Sequence, residues 1–192
     1  APDLRQVGEV LHDIVADDRR ASAIIQRLRE MMRGESPSRE RIDLCAVVRE
    51  VREIMRSGLS MRGIAVLSEF TSDLPAVVAD RIQIEQVVVN LVTNAMQAME
   101  GLSEARLTFR VFQRGDGWQV VTVSDSGRGI APPMLATMFD PFNSSREGGL
   151  GMGLSISRSI IEAHDGEMQA EHLSTGGATV GFALPPARDD RR

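Results

Sequence analysis

Four groups of residues in this chain could do chemistry together. Asn90 and Asn94 stand four apart in an apolar stretch, so on a helix they share one face with Val87, Leu91 and Ala98. An amide oxygen there suits Mg2+ when phosphates supply the remaining ligands. Asp125 follows the apolar run Val120-Val121-Thr122-Val123 and opens Asp125-Ser126-Gly127-Arg128-Gly129-Ile130. A partly shielded carboxylate at a strand end is a good acceptor for an exocyclic amine such as that of adenine. Gly127 and Gly129 let the backbone pass close to a flat ring. Gly149-Leu150-Gly151-Met152-Gly153-Leu154 runs into an apolar helix, whose N-terminal amides and dipole attract phosphate. Phe139-Asp140-Pro141-Phe142 lies between the two glycine signatures. Taken singly, an Asp-Ser-Gly turn and a flexible glycine loop are the favoured readings of two of these segments, and a pair of packing amides accounts for the asparagines equally well. In this order and spacing they describe a nucleotide pocket.

That pocket has no lysine to work with, because the chain contains none. A Walker-type phosphate loop and a eukaryotic-type protein kinase both need one, and lysine Schiff-base chemistry is unavailable too. Phosphates must be held by backbone amides, a metal and arginine. The net charge of -5 and the pI near 5.3 argue against nucleic acid as a partner. The single cysteine, Cys45, cannot form an internal disulfide, so a reducing cytoplasm is the expected compartment. No apolar run reaches bilayer-spanning length. The start at Ala1-Pro2-Asp3, without methionine, reads as that of an excised segment.

The elements that must position these residues follow from periodicity. Residues 3–33 read as one long helix with an apolar stripe through Leu11, Ile14, Ile24, Leu28 and Met31, and 34–38 as its stop and a linker. Asp43 caps a helix to about Ser57, residues 64–70 alternate like a strand, and 75–78 add a short one. Asp80 caps an apolar helix through Met99. Strands over 105–113 and 118–124 flank the turn 114–117. Pro132 and Pro133 open a short helix ending near Phe139. A polar loop spans 143–150, a helix 151–164, and two strands 167–173 and 178–184. The expected fold is α+β, a two-layer sandwich of helices on a mixed, largely antiparallel sheet.

With all four motifs in order, residues 39–185 resemble the ATP-binding catalytic domain of sensor histidine kinases, in the superfamily shared with DNA gyrase, mismatch-repair ATPases and related chaperones. The resemblance implies ATP and Mg2+ as cofactors, with Asn94 on the metal and Asp125, Gly127, Gly129 and Ile130 around adenine. It makes Phe139 and Phe142 the anchor of a lid, and Gly149, Leu150, Gly151, Met152, Gly153 and Leu154 the cover of the phosphates. Hydrolytic members usually carry a glutamate where Asn90 stands, and a neutral amide cannot take a proton from water. The resemblance therefore implies transfer to another nucleophile, with Asn90, Asn94 and Arg146 as the catalytic set. Gln97 and Ala98 stand where many members carry a basic residue and an aromatic, and Arg146 where a lid lysine is frequent.

Residues 10–33 resemble the second helix of the dimerisation and phosphoacceptor hairpin of the nitrogen-regulation and oxygen-sensing group. The implied organisation is a partial hairpin over 1–34, a linker over 35–43, the ATP-binding domain over 44–186 and a tail over 187–192. Its implied partners are ATP, an acceptor-histidine hairpin, a response-regulator receiver domain and a second copy of the parent chain. None of His12, His164 or His172 has the acidic neighbour and following proline of an acceptor, so the chain reads as starting after that helix. Two alternatives stand beside this reading: an anti-sigma-factor type serine kinase of the same superfamily, and a non-enzymatic dimerisation module with a vestigial pocket.

Overall fold

The computed structural model describes residues 38–143 and 151–187. The helix expected over 3–33, with His12, lies outside the described residues, as do Arg146, Gly149 and Leu150 and the tail beyond 187.

Two aspartate caps set the helical layer. Asp43 accepts the Cys45 N–H at 2.8 Å and starts helix α1, Leu44–Met61, four residues longer than its sequence suggests. Asp80 accepts the Gln83 N–H at 3.1 Å and starts α2, Arg81–Ala98. Helix α2 buries Ile84, Val87, Val88, Leu91, Val92, Ala95 and Met96, because it packs at once against α1, the sheet and the later helix α4, Gly153–Ala163. The short helix α3 covers only Pro132–Leu135; the turns that follow replace the longer helix expected to reach Phe139.

The strands are β1 (Glu40–Ile42), β2 (Ala65–Phe70), β3 (Val77–Ala79), β4 (Arg106–Gln113), β5 (Gln119–Asp125), β6 (Glu167–His172) and β7 (Ala178–Leu184). Five form an open mixed sheet in the order β2-β4-β5-β7-β6, parallel only between β2 and β4. Helix α2 lies in the crossover that the β2–β4 parallel pair requires. Central β5 is buried at every position except Ser124. Its Val121, Val123 and Asp125 alternate onto the face that carries the helices, with Phe109 and Phe182 beside them in the core. The architecture is the expected α+β sandwich.

One boundary differs from the sequence expectation. Residues 40–42, assigned to a linker, form β1 and pair antiparallel with β3, and Ile42 enters the core at 3% exposure. At the other end the Ala187 N–H donates to the Ala76 carbonyl at 2.9 Å, so the folded unit reaches residue 187.

His164 does more than end a helix. It is buried, its Nε2 accepts the Asp80 N–H at 3.0 Å, and its Nδ1 lies 2.7 Å from the Ile160 carbonyl. A nitrogen that accepts carries no proton, so Nδ1 holds the hydrogen and donates it to Ile160. The ring is a neutral strut between the end of α4 and the cap of α2, and Arg39 supplies the cation at the α4 C-terminus through the Ala163 carbonyl and Asp165. His164→Ala leaves a buried donor and acceptor unpaired and opens a void, so it should cost roughly 2–3 kcal/mol of unfolding free energy. Urea denaturation showing a change below about 0.5 kcal/mol would contradict the strut.

Candidate functional site

A cleft of about 830 Å³ opens where α2, the Asp125 end of the sheet, α3 and the first turn of α4 meet. Leu91, Val123, Ile130, Met134, Met138 and Val180 give it apolar walls. Its polar groups are few and come from named elements: Asn90, Thr93, Asn94 and Gln97 from α2, Asp125 from β5, Arg128 from the following loop, His172 from β6 and Asn143 from the segment after α3. Such a cavity, mostly apolar with sparse converging polar groups, is suited to a small-molecule ligand.

Asp125 is only 7% exposed. Burial pushes its carboxyl pKa up, while the backbone N–H groups of Gly127 and Ala178 pull it back. The Gly127 bond is 2.7 Å long. Gly127 itself does not line the cleft. A Cβ there would stand 2.6 Å from the Ala98 carbonyl oxygen, so the glycine lets the loop pass against the end of α2. Gly129 and Ile130 do line the cleft. Gly129 has φ +73°, and a Cβ on it would meet the His172 ring at 2.5 Å.

The two asparagines face the same cleft but have different surroundings. Asn90 donates from Nδ2 to Ser157 Oγ at 2.9 Å, and a Cβ on Gly153 would stand 2.5 Å from Asn90 Oδ1. Gly153 and Ser157 are one helical turn apart on α4, so this amide clasps that helix face. Asn94 has no such tie, and its Nδ2 is buried without a hydrogen-bond partner. A buried N–H donor left in this state fits a side chain whose partner is an acceptor on a ligand, such as a phosphate oxygen. Among the described residues no group of three His, Cys, Asp or Glu could hold a metal. Any ion at Asn94 must therefore draw most of its ligands from a bound molecule, as Mg2+ does with phosphates.

Gly151, Met152, Gly153 and Leu154 all line the cleft around the start of α4. Met152 occupies the N-cap with no side-chain cap bond, which leaves first-turn amides for an anion. The phenylalanine pair departs from expectation. Phe139 is half-buried and Phe142 is 73% exposed, and neither lines the cleft. Phe142 follows Pro141 with φ +64°, a left-handed turn that leaves the side chain in solvent rather than in the core. Met138, at 7% exposure, anchors this segment instead, and Asn143 Nδ2 ties it back to the Thr137 carbonyl at 2.8 Å.

Ser157 and Met138 were not singled out by the sequence, Arg128 entered only as a motif position and His172 only as a rejected phosphoacceptor. Ser157 did leave a trace, a polar residue on the apolar face of α4 one turn after Gly153. His172 left none, since only strand pairing brings it here.

The family model described as histidine kinase-, DNA gyrase B-, and HSP90-like ATPase matches residues 79–188. The sensor protein FixL of Bradyrhizobium diazoefficiens is 36% identical over 190 residues, covering 98% of this chain and 37% of that protein. The chain thus spans little more than a third of that relative. Among solved structures, the catalytic domain of histidine kinase ThkA superimposes with TM-score 0.70 at 28% identity, covering 78% of this chain and 96% of that one. Full-length ShkA in complex with AMPPNP gives TM-score 0.71 at 26% identity, covering 80% and 32%.

The buried carboxylate gives the site a pH signature. With its folded-state pKa raised, Asp125 favours folding once protonated; that contribution is complete below the ordinary value of 3.8 and is lost as pH rises through the folded value. Relative to Asp125→Asn, the unliganded wild-type protein should gain stability as pH falls from 7 toward 4. Parallel stability-versus-pH curves for the two proteins would contradict the raised pKa.

Proposed function

We propose a function from one premise: the chain belongs to the histidine kinase-, DNA gyrase B-, and HSP90-like ATPase family. It is the ATP-binding core of a two-component sensor histidine kinase, and it delivers the ATP γ-phosphate to a histidine on a helical hairpin for relay to a response regulator. The observation that carries this reading is the pairing, in one cleft, of a buried carboxylate at Asp125 with an unsatisfied amide at Asn94. A serine kinase of the same superfamily and a vestigial module are not favoured, since the relatives are sensor kinases and the polar groups of the cleft are intact.

Asp125 accepts the exocyclic amine of adenine, a contact worth more than a neutral hydrogen bond because the acceptor is charged. Ile130, Met134 and Met138 shield the base from water. The first turn of α4 takes the phosphates on its amides. Asn94 holds Mg2+ jointly with phosphate oxygens, and the ion, when bound, offsets the charge of the triphosphate and fixes its geometry. Asn90 is a neutral amide committed to Ser157, so it cannot act as a general base toward water. The nucleophile must then be one that needs little activation, which suits an imidazole. Neither described histidine serves: His164 is buried with both nitrogens engaged, and His172 stands on a strand in the cleft wall. The parent protein works as a homodimer with its kinase core in the cytoplasm, a compartment consistent with the free buried Cys45.

Calorimetry should find Mg2+-dependent ATP and ADP binding. Asp125→Ala should weaken it by roughly 1.5–3 kcal/mol, and Asn94→Ala should abolish the metal dependence while largely sparing adenosine. Hydrolysis by the chain alone should be slow. An added hairpin bearing an acceptor histidine should gain acid-labile phosphate, at low efficiency because the tether is missing. Fast hydrolysis without transfer, or acid-labile phosphate on this chain's own histidines, would contradict the reading.

A further inference from the structure

His172 lies on the same cross-strand row as Asp125. Asp125 pairs with Ala178 across β5 and β7, and Ala178 pairs with His172 across β7 and β6. Residues directly opposite on neighbouring strands project from the same face, so the imidazole and the carboxylate both point into the cleft. Two strand spacings separate their backbones by about 9–10 Å. Ala178 lies between them and fills the row with a methyl group, which leaves room for a flat heterocycle above it. The ring is exposed and bounded along one edge. The backbone of Gly129 packs so closely on the Nδ1–Cε1 edge that a Cβ there would stand 2.5–2.6 Å away.

A purine held only by Asp125 has its amine satisfied, but its ring nitrogens are acceptors and need a donor. On the Asp125–Ala178–His172 row, Ala178 is a methyl group and His172 is the side chain that can donate. Imidazole carries an N–H at neutral pH in either tautomer. We propose that His172 is a nucleobase-contacting residue that donates a hydrogen bond to a purine ring nitrogen, forming a second polar wall opposite Asp125. This rests on the nucleotide reading of the cleft and assigns the base a contact from the edge strand.

The test is calorimetry on the whole chain with ADP, adenosine and tripolyphosphate, comparing the wild-type protein with His172→Ala, His172→Gln and His172→Phe after circular dichroism has confirmed folding. His172→Ala should weaken ADP and adenosine by the same factor, about three- to tenfold, and leave tripolyphosphate and the Mg2+ dependence unchanged. His172→Gln, which keeps a donor, should recover most of the loss, and His172→Phe should not. Unchanged ADP and adenosine affinity in His172→Ala overturns the contact while leaving the nucleotide reading intact. Recovery by phenylalanine alone overturns the hydrogen bond. A wild-type chain that binds no adenine nucleotide removes the underlying reading and this contact with it.

Discussion

The amide of Asn90 ties the two helices that make the cleft. Its bond to Ser157, with Gly153 pressed against its oxygen, fixes the first turn of α4 beside α2. The amides that can receive an anion and the Asn94 side chain one turn further along α2 are thereby held in one frame. The net worth of such a bond is modest, about 1 kcal/mol, but its geometry is demanding. Any side chain at position 153 would push Asn90 away. The same amide, being neutral and occupied, is no proton acceptor. One residue thus positions both helices at the cleft.

Asp125 is the opposite kind of element, one that costs stability when empty. At 7% exposure, burial pushes the Asp125 carboxyl pKa up more than its two backbone donors, Gly127 and Ala178, bring it down. A hydrogen-bond donor placed against this carboxylate would offset that cost. The surrounding sheet tolerates the cost because β5 is its central strand, flanked on both sides over its whole length and rich in valine. The neutral strut at His164 supports the far end of the same two helices, so α2 is fixed both at its cap and at the cleft.

Local chemistry made much of this readable. Asp43 and Asp80 announce their helices because a carboxylate before an apolar periodic run can satisfy first-turn amides, and both do so. The strand alternation and the order of the glycine motifs likewise depend on neighbours in sequence. What escaped depends on distant partners. Strand β1 has three residues and exists only because β3 pairs with it. Phe142 carries a hydrophobic side chain yet stands in solvent, because the turn at Pro141 outweighs its preference for burial. Gly127 is a motif glycine whose close neighbours include the Ala98 carbonyl at the far end of α2. Ser157 and His172 acquire meaning only from Asn90 and from the Asp125 row, each more than 40 residues away along the chain.

The most direct test is a crystal structure of this chain with Mg2+ and a non-hydrolysable ATP analogue. The adenine amine should lie within hydrogen-bond distance of Asp125, the metal should touch Asn94 and phosphate oxygens, and the phosphates should face the first turn of α4. An analogue bound with its base away from Asp125, or a metal without Asn94, would contradict the account.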